Sequence, residues 1–330
     1  MPLFPHSRLR RTRSHPWLRD LVAETTFQVT DLVWPIFIRD ENQEALIPSM
    51  PDVKRYSLSE LDQVIEIVST YGIKALALFP YTPQEKRTPL GFLAYDEENL
   101  ICKALAYLRK FAPFVGLMAD VALDPYTDHG HDGIIFKDVV DNDKTLEALS
   151  KQALVLAKSG AHVVAPSDMM DGRVGIIRKT LDDNQFTDVS ILSYSAKYNS
   201  CFYGPFRQAV GAPTLPEALK DKSTYQMDSR NVLEALRECN QDIKEGADML
   251  IIKPGLPYLD VLKTVTQTCK LPTFVYQISG EYAQIKAASQ LGWIDETRAF
   301  LETMTAFKRA GACGIFTYAA PQLAKFLKET

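Results

Sequence analysis

From residue 31 onward, short apolar runs rich in β-branched and aromatic residues alternate with longer stretches of helical spacing, the pattern that parallel βαβ units require. Eight such runs stand out, at 32–38, 75–79, 114–121, 162–165, 189–194, 249–252, 273–278 and 314–318. The spacing between them predicts helices, two with legible ends: Ser57 and Glu60 form a capping box opening 57–71, and 144–159 stops at Gly160. Eight strands with intervening helices predict an α/β chain folded as a (β/α)8 TIM barrel. A doubly wound sheet would carry a Gly-rich phosphate turn after its first strand, and no GxGxxG follows 32–38. No Pro/Gly-rich linker or internal repeat divides the chain. The expected organisation is an N-terminal arm, 1–30, suited to subunit contacts, and a catalytic barrel, 31–330.

Composition narrows the class of partner. The 330 residues are 46% hydrophobic and 24% charged with a net charge of −4, an ordinary globular balance with no general attraction for nucleic acid. A small molecule is the expected ligand. Five scattered cysteines, without a CxxC pair, signal neither a disulfide framework nor a thiolate zinc site and fit a reducing, cytoplasmic setting. The first 19 residues hold five arginines but no apolar core of signal-peptide length, and no stretch approaches about 18 consecutive apolar residues. Neither export nor a membrane span is expected. Arg8, Arg10, Arg11 and Arg13 would suit a nucleic-acid arm, but the stretch is short and interrupted, so a solvated arm or subunit contact is preferred.

In such barrels chemistry sits at the C-terminal ends of the strands. That rule selects Asp120, Asp124, Asp128 and Asp132 with His129 and His131 after the third strand, and Asp168 and Asp171 after the fourth. It adds Lys197 after the fifth, Lys253 after the sixth, Tyr276, Ser279 and Glu281 in and after the seventh, and Tyr318 at the end of the eighth. Lys253 follows a strand too apolar to be exposed, and Pro254 and Gly255 end the pairing immediately afterwards. A lysine desolvated there loses its proton more easily and attacks a ketone as a free amine. Pairing with a carboxylate or holding a phosphate is the plainer alternative. Lys197, on the neighbouring strand, brings a second ammonium to the same pocket. Each is expected to depress the other's pKa, which suits two imine-forming amines.

Two motifs carry a resemblance. Gly246-Ala247-Asp248-Met249-Leu250-Ile251-Ile252-Lys253-Pro254-Gly255-Leu256-Pro257-Tyr258 is similar to the signature of the porphobilinogen synthase, or 5-aminolevulinate dehydratase, family. Tyr194-Ser195-Ala196-Lys197, followed by Cys201-Phe202-Tyr203-Gly204-Pro205-Phe206-Arg207, resembles that family's second lysine and the start of its active-site lid. The resemblance runs from about residue 8 to the C-terminus. It implies condensation of two 5-aminolevulinate molecules to porphobilinogen with loss of two waters, in tetrapyrrole (heme) synthesis, through Schiff bases on Lys197 and Lys253. It also implies that Ser279 and Tyr318, with Tyr276 beside them, bind the carboxylate of the Lys253-bound substrate, and that Arg207, Lys222 and Gln226 hold the other. Many members have arginine where Lys222 stands, so a point charge replaces a fork there. Tyr203 and Phe206 fall in the lid motif, and Gly204, Gly211 and the nearby prolines suit a lid that excludes water. A single-lysine aldolase-like barrel is the competing enzyme reading; the long lid motif argues against it.

The loop after the third strand departs from part of the family. Ala122, Asp124 and Asp132 occupy the places of three cysteines in the zinc-dependent branch, so no catalytic Zn2+ is expected. Carboxylates favour a hard cation or work without a metal by accepting hydrogen bonds from the substrate amine. The second role is preferred for Asp124 and Asp132, with Asp120 as a further polar partner. The aspartate-rich branch implies a stimulatory Mg2+ away from the pocket, for which Glu238 matches the carboxylate ligand and Arg173 an arginine bonding to it across the subunit interface. His129 and His131 are read as loop residues, not ligands. No organic cofactor is expected, and the family implies a homo-octamer in which the arm wraps a neighbour.

Overall fold

The apolar runs close into a cylinder of eight parallel strands in the computed structural model, which describes residues 3–212 and 221–329. In chain order the strands are Leu32–Ile38, Ala75–Pro80, Gly116–Val121, Val163–Pro166, Ser190–Lys197, Met249–Lys253, Thr273–Tyr276 and Ile315–Phe316. Each pairs with the next, and the eighth returns to the first, with Leu32 opposite Ile315 and Val33 opposite Phe316. This is the (β/α)8 TIM barrel that the spacing predicts. All seven residues of the first strand are buried, because the barrel interior covers one face of a parallel strand and the helical layer the other.

Local chemistry sets most element ends. The helix Leu61–Tyr71 is preceded by a 3-10 turn, Leu58–Glu60, in which the Ser57 N–H donates to Glu60 Oε2 at 2.9 Å. The helix Asn142–Lys158 starts two residues earlier than the periodicity predicts because Asp141 accepts from the Lys144 N–H at 2.9 Å. The seventh strand stops at Tyr276, short of the expected 278, since the Ile278 N–H donates to Glu281 at 2.9 Å and a helix, Ser279–Gln290, begins at once. A short strand, Arg55–Tyr56, is added alongside the end of the first, and Ile135–Phe136 pairs with Val139–Val140 as a small hairpin.

Within the expected arm, no described residue from 3 to 30 is buried, and Leu3, Phe4, Leu9 and Trp17 stand exposed. Among the described residues no helix is long and apolar enough to cross a membrane.

Candidate active site

Lys197 and Lys253 end adjacent strands and lie directly opposite each other in register. Strict alternation would not bring this about. Ser193 faces outward, its Oγ donating at 2.7 Å to Asp242 on the outer helix Val232–Glu245, so regular pleating would turn Lys197 outward too. A bulge intervenes: Ser193 opposes Leu250 but Ala196 opposes Ile252, giving the fifth strand one extra residue. The extra residue reverses the alternation and points Lys197 into the barrel.

The two lysines share one mouth but not one electrostatic setting. Lys253 is 5% exposed, and its Nζ sits among rings, 4.8 Å from the Tyr276 centroid, 5.0 Å from Phe206, 5.1 Å from Tyr194 and 5.4 Å from Tyr203. Burial pushes its pKa down, Lys197 adds to the fall, and Asp120, Asp124 and Asp132 offset only part, leaving it at about 7. Lys197 donates to Asp132 Oδ1 at 2.8 Å and to the Ser167 carbonyl. Burial opposes its charge as well, but Asp132 and Asp124 outweigh that, and its pKa is raised. The expectation that each lysine lowers the other's pKa therefore holds for Lys253 and fails for Lys197.

The aspartates divide in the same way. Asp132 is buried between Lys197 and Lys222, whose Nζ lies 2.6 Å from Oδ2, and Tyr225 donates to it at 3.0 Å. Burial resists its ionisation, yet the two lysines override it and hold the carboxyl well below the usual range. Lys222 also lies 3.7 Å from Asp124. Asp120, on the third strand, keeps Oδ1 buried with no hydrogen-bond partner among the described residues. Burial raises its carboxyl to about 7, with Lys253 opposing the rise and Asp124 adding to it.

Opposite the aspartates, Tyr276 and Tyr318 share a hydrogen bond of 2.9 Å between buried hydroxyls. Ser279 Oγ accepts from the Phe206 N–H at 2.9 Å, tying the short helix Gly204–Ala209 to this wall. Gly280 permits that approach: a Cβ there would collide with the Phe202 backbone. Tyr203 donates to the Tyr198 carbonyl at 2.9 Å. Phe206 packs edge-on against Phe79, centroids 5.5 Å apart. Behind Lys253, the buried Glu281 carboxylate accepts from the backbone N–H groups of Gly255, Leu256 and Ile278, fixing the turn that ends the sixth strand.

Other expected residues lie at the edge of this cluster or outside it. Arg207 is exposed on the helix Gly204–Ala209 and makes no ion pair among the described residues. Gln226 is buried in the turn whose Met227 N–H donates to the Lys197 carbonyl at 3.0 Å. Of the lid prolines, Pro213 and Pro216 lie outside the described residues. His129 and His131 make loop hydrogen bonds, to the Pro89 carbonyl at 3.1 Å and the Tyr225 hydroxyl at 2.9 Å. Glu238 lines a cleft with Asn142, Asp171 and Asp242; burial raises its pKa, Arg173 opposes the rise, and Asp242 and Asp171 add to it. The reading of Arg173 as a cross-interface partner needs correction. Its side chain is fully enclosed in its own chain, where Nη2 lies 3.4 Å from Asp242 and Nε 3.7 Å from Asp168.

Four contributors went unread in the sequence. Tyr194 is legible as an inward position of the fifth strand and Phe79 as the last apolar residue of the second, but both look like ordinary core. Tyr225 stands beside the expected Gln226. The Ser167 carbonyl, a backbone acceptor, has no sequence signal at all.

The family model described as Delta-aminolevulinic acid dehydratase matches residues 6–326. A Delta-aminolevulinic acid dehydratase of Bradyrhizobium diazoefficiens is 49% identical over 323 residues, covering 97% of this chain and 91% of that protein. One from Rhodobacter capsulatus is 45% identical over 99% of this chain and 98% of its own length. The crystal structure of the Toxoplasma gondii enzyme in complex with the reaction product porphobilinogen superposes with a TM-score of 0.95 at 46% identity, covering 98% of this chain and 92% of that one. The chain belongs to the delta-aminolevulinic acid dehydratase family and is a lyase that condenses two 5-aminolevulinate molecules to porphobilinogen through Schiff-base chemistry in heme biosynthesis.

Proposed function

We propose that Lys253 and Lys197 each capture one substrate ketone as an imine, and that the opposite charge states of the two lysines organise the reaction. The observation that carries this reading is the in-register pairing of the lysines, one in an aromatic cage and the other on a carboxylate. With its pKa at about 7, roughly half of Lys253 is a free amine at neutral pH. It attacks the ketone carbon, and the oxygen leaves as water. Lys197 starts as an ammonium and must give up a proton before it attacks. Asp120, titrating near 7 in the same mouth, is suited to take it and later to return it to a departing oxygen. One water leaves per ketone. Two substrates held side by side turn a bimolecular condensation into a nearly unimolecular one.

The remaining residues take the substrates' charged ends. Ser279, Tyr318 and Tyr276 offer hydroxyls to the carboxylate on the Lys253 side without adding charge beside that amine. Lys222, Gln226 and Arg207 serve the other carboxylate, which requires Lys222 to exchange Asp132 for substrate. Asp124 and Asp132 accept from the substrate amine in place of a zinc site, and Tyr203 and Phe206 exclude water from the imines. Borohydride reduction in the presence of 5-aminolevulinate should attach substrate to both lysine peptides. Near-normal porphobilinogen production by Lys253→Ala would overturn the assignment.

Outside the pocket, the reading extends to a regulatory Mg2+ at Glu238. Its support is the acidic cleft around this carboxylate, whose pKa is raised first by burial and further by Asp242 and Asp171. The described residues include no group of three or more His, Cys, Asp or Glu arranged to hold a metal. A hydrated Mg2+, which needs few protein ligands, fits such a cleft. An ion bound there would supply positive charge beside Glu238 and Asp171. The exposed apolar and arginine side chains of the arm suit a homo-octamer in the cytoplasm; light scattering on a chain lacking the arm should report smaller assemblies.

A further inference from the structure

We propose that Arg173 is a positioning residue for Lys197, acting through the bulge that turns this lysine into the barrel. The inference rests on the reading of Lys197 as an imine-forming residue. Arg173 opens the helix Arg173–Asp183, and its guanidinium reaches the bulge from behind. Its Nη2 donates to Ser193 Oγ and to the Tyr194 carbonyl, both at 3.2 Å, and the register shift lies between Ser193 and Ala196. Asp242 holds the arrangement from the outer helix, accepting from Ser193 Oγ at 2.7 Å and facing the same Nη2 at 3.4 Å.

The other edge of the guanidinium addresses the second support of Lys197. Nε lies 3.7 Å from Asp168, whose Oδ1 accepts from the Met170 N–H at 2.7 Å, and Nη1 donates to the Met170 carbonyl at 3.1 Å. Asp168 immediately follows Ser167, the residue whose carbonyl accepts from Lys197 Nζ. One planar group thus fixes both the backbone that aims Lys197 and the loop that receives its ammonium. A lysine at 173 has a single nitrogen and cannot span the two. A bulged strand without such a tether can slip back to regular pairing, and regular pairing turns Lys197 toward the helices. Lys253 has separate supports, the turn held by Glu281, and Arg173 touches none of them.

The test is site-resolved borohydride trapping with 5-aminolevulinate, quantified on the Lys197 and Lys253 peptides of the full-length protein by mass spectrometry. Misplacement of a reacting group by about 1 Å costs on the order of 100-fold, so Arg173→Lys should lower the Lys197 label at least about tenfold. The Lys253 label should stay within about twofold of wild type. Ser193→Ala, which removes one anchor and leaves the buried charges paired, should shift the same ratio in the same direction, and it decides the matter if Arg173→Lys does not fold. Equal loss at both lysines, or no loss at either, would overturn the positioning role. Absence of label on Lys197 in the wild type would instead overturn the two-imine reading beneath it.

Discussion

A carboxylate placed in the aromatic cage should silence Lys253 at neutral pH and leave it active in alkali. Phe206 is the position for it, since the ring centroid lies 5.0 Å from Nζ and the residue is only half-buried, so Phe206→Asp can be accommodated. At an effective dielectric of about 20, unit charges 5 Å apart attract by roughly 3 kcal/mol, which raises an amine's pKa by about 2. Lys253 would move from about 7 to about 9, so its free-amine share at pH 7 would fall from roughly one half to about one in a hundred. Phe206→Asn is the control: it opens the cage with nearly the same shape and no charge. The assay is the rate at which borohydride and 5-aminolevulinate label the Lys253 peptide, followed from about pH 6 to about pH 10. The aspartate variant should trail the asparagine variant about 50-fold at pH 7 and converge with it near pH 10. Coincident profiles would refute the electrostatic argument. A wild-type midpoint near 10 would refute the claim that burial lowers this lysine's pKa.

Three further outcomes follow from the same site. Glu281→Gln keeps one acceptor oxygen for three backbone N–H groups and should cost about 1–3 kcal/mol of stability while reducing label on Lys253 more than on Lys197; an unchanged urea midpoint with unchanged labelling would contradict the role given to that turn. Asp132 has a folded-state pKa depressed below its unfolded value, so its pairing contributes stability that is complete above about pH 5 and lost as pH falls. Urea unfolding across acid pH should therefore show a shallower slope for Asp132→Asn than for wild type, and parallel slopes would count against the pairing. Added Mg2+ should stimulate the chelator-treated wild type in a saturable way and lose that effect in Glu238→Gln; equal stimulation of both would remove Glu238 as the ligand.

The barrel was readable because its strands are buried on both faces and announce themselves as unbroken apolar runs, as 32–38 and 249–252 do. The site was readable to the extent that its residues sit at strand ends, which holds for Lys197, Lys253, Asp120 and Tyr276. Two things resisted. Arg173, next to Gly172 at the head of a helix, matches by resemblance an arginine that bonds across a subunit interface, yet it is enclosed in its own chain because Asp168, Asp242 and the Tyr194 carbonyl meet around it. The bulge in the fifth strand has no local signature either: Ser193-Tyr194-Ser195-Ala196 reads as an ordinary strand, and only pairing with Leu250 and Ile252 exposes the extra residue.

That extra residue also explains why two lysines of the same kind, in one mouth, titrate in opposite directions. It carries Lys197 inward on the side where Asp132 and the Ser167 carbonyl wait, so the cost of burying its ammonium is met by a carboxylate and a dipole. Lys253 arrives on an unbulged strand against Tyr194, Tyr203, Phe206 and Tyr276, whose faces attract a cation far less than a carboxylate does. Lys197, kept charged by Asp132, then becomes one of the causes that strip the proton from Lys253. A second free amine would remove that cause. On the proposed reading the asymmetry is self-reinforcing: the cation held by Asp132 lowers the pKa of its neighbour, and Lys197 must give up its own proton before it attacks in turn.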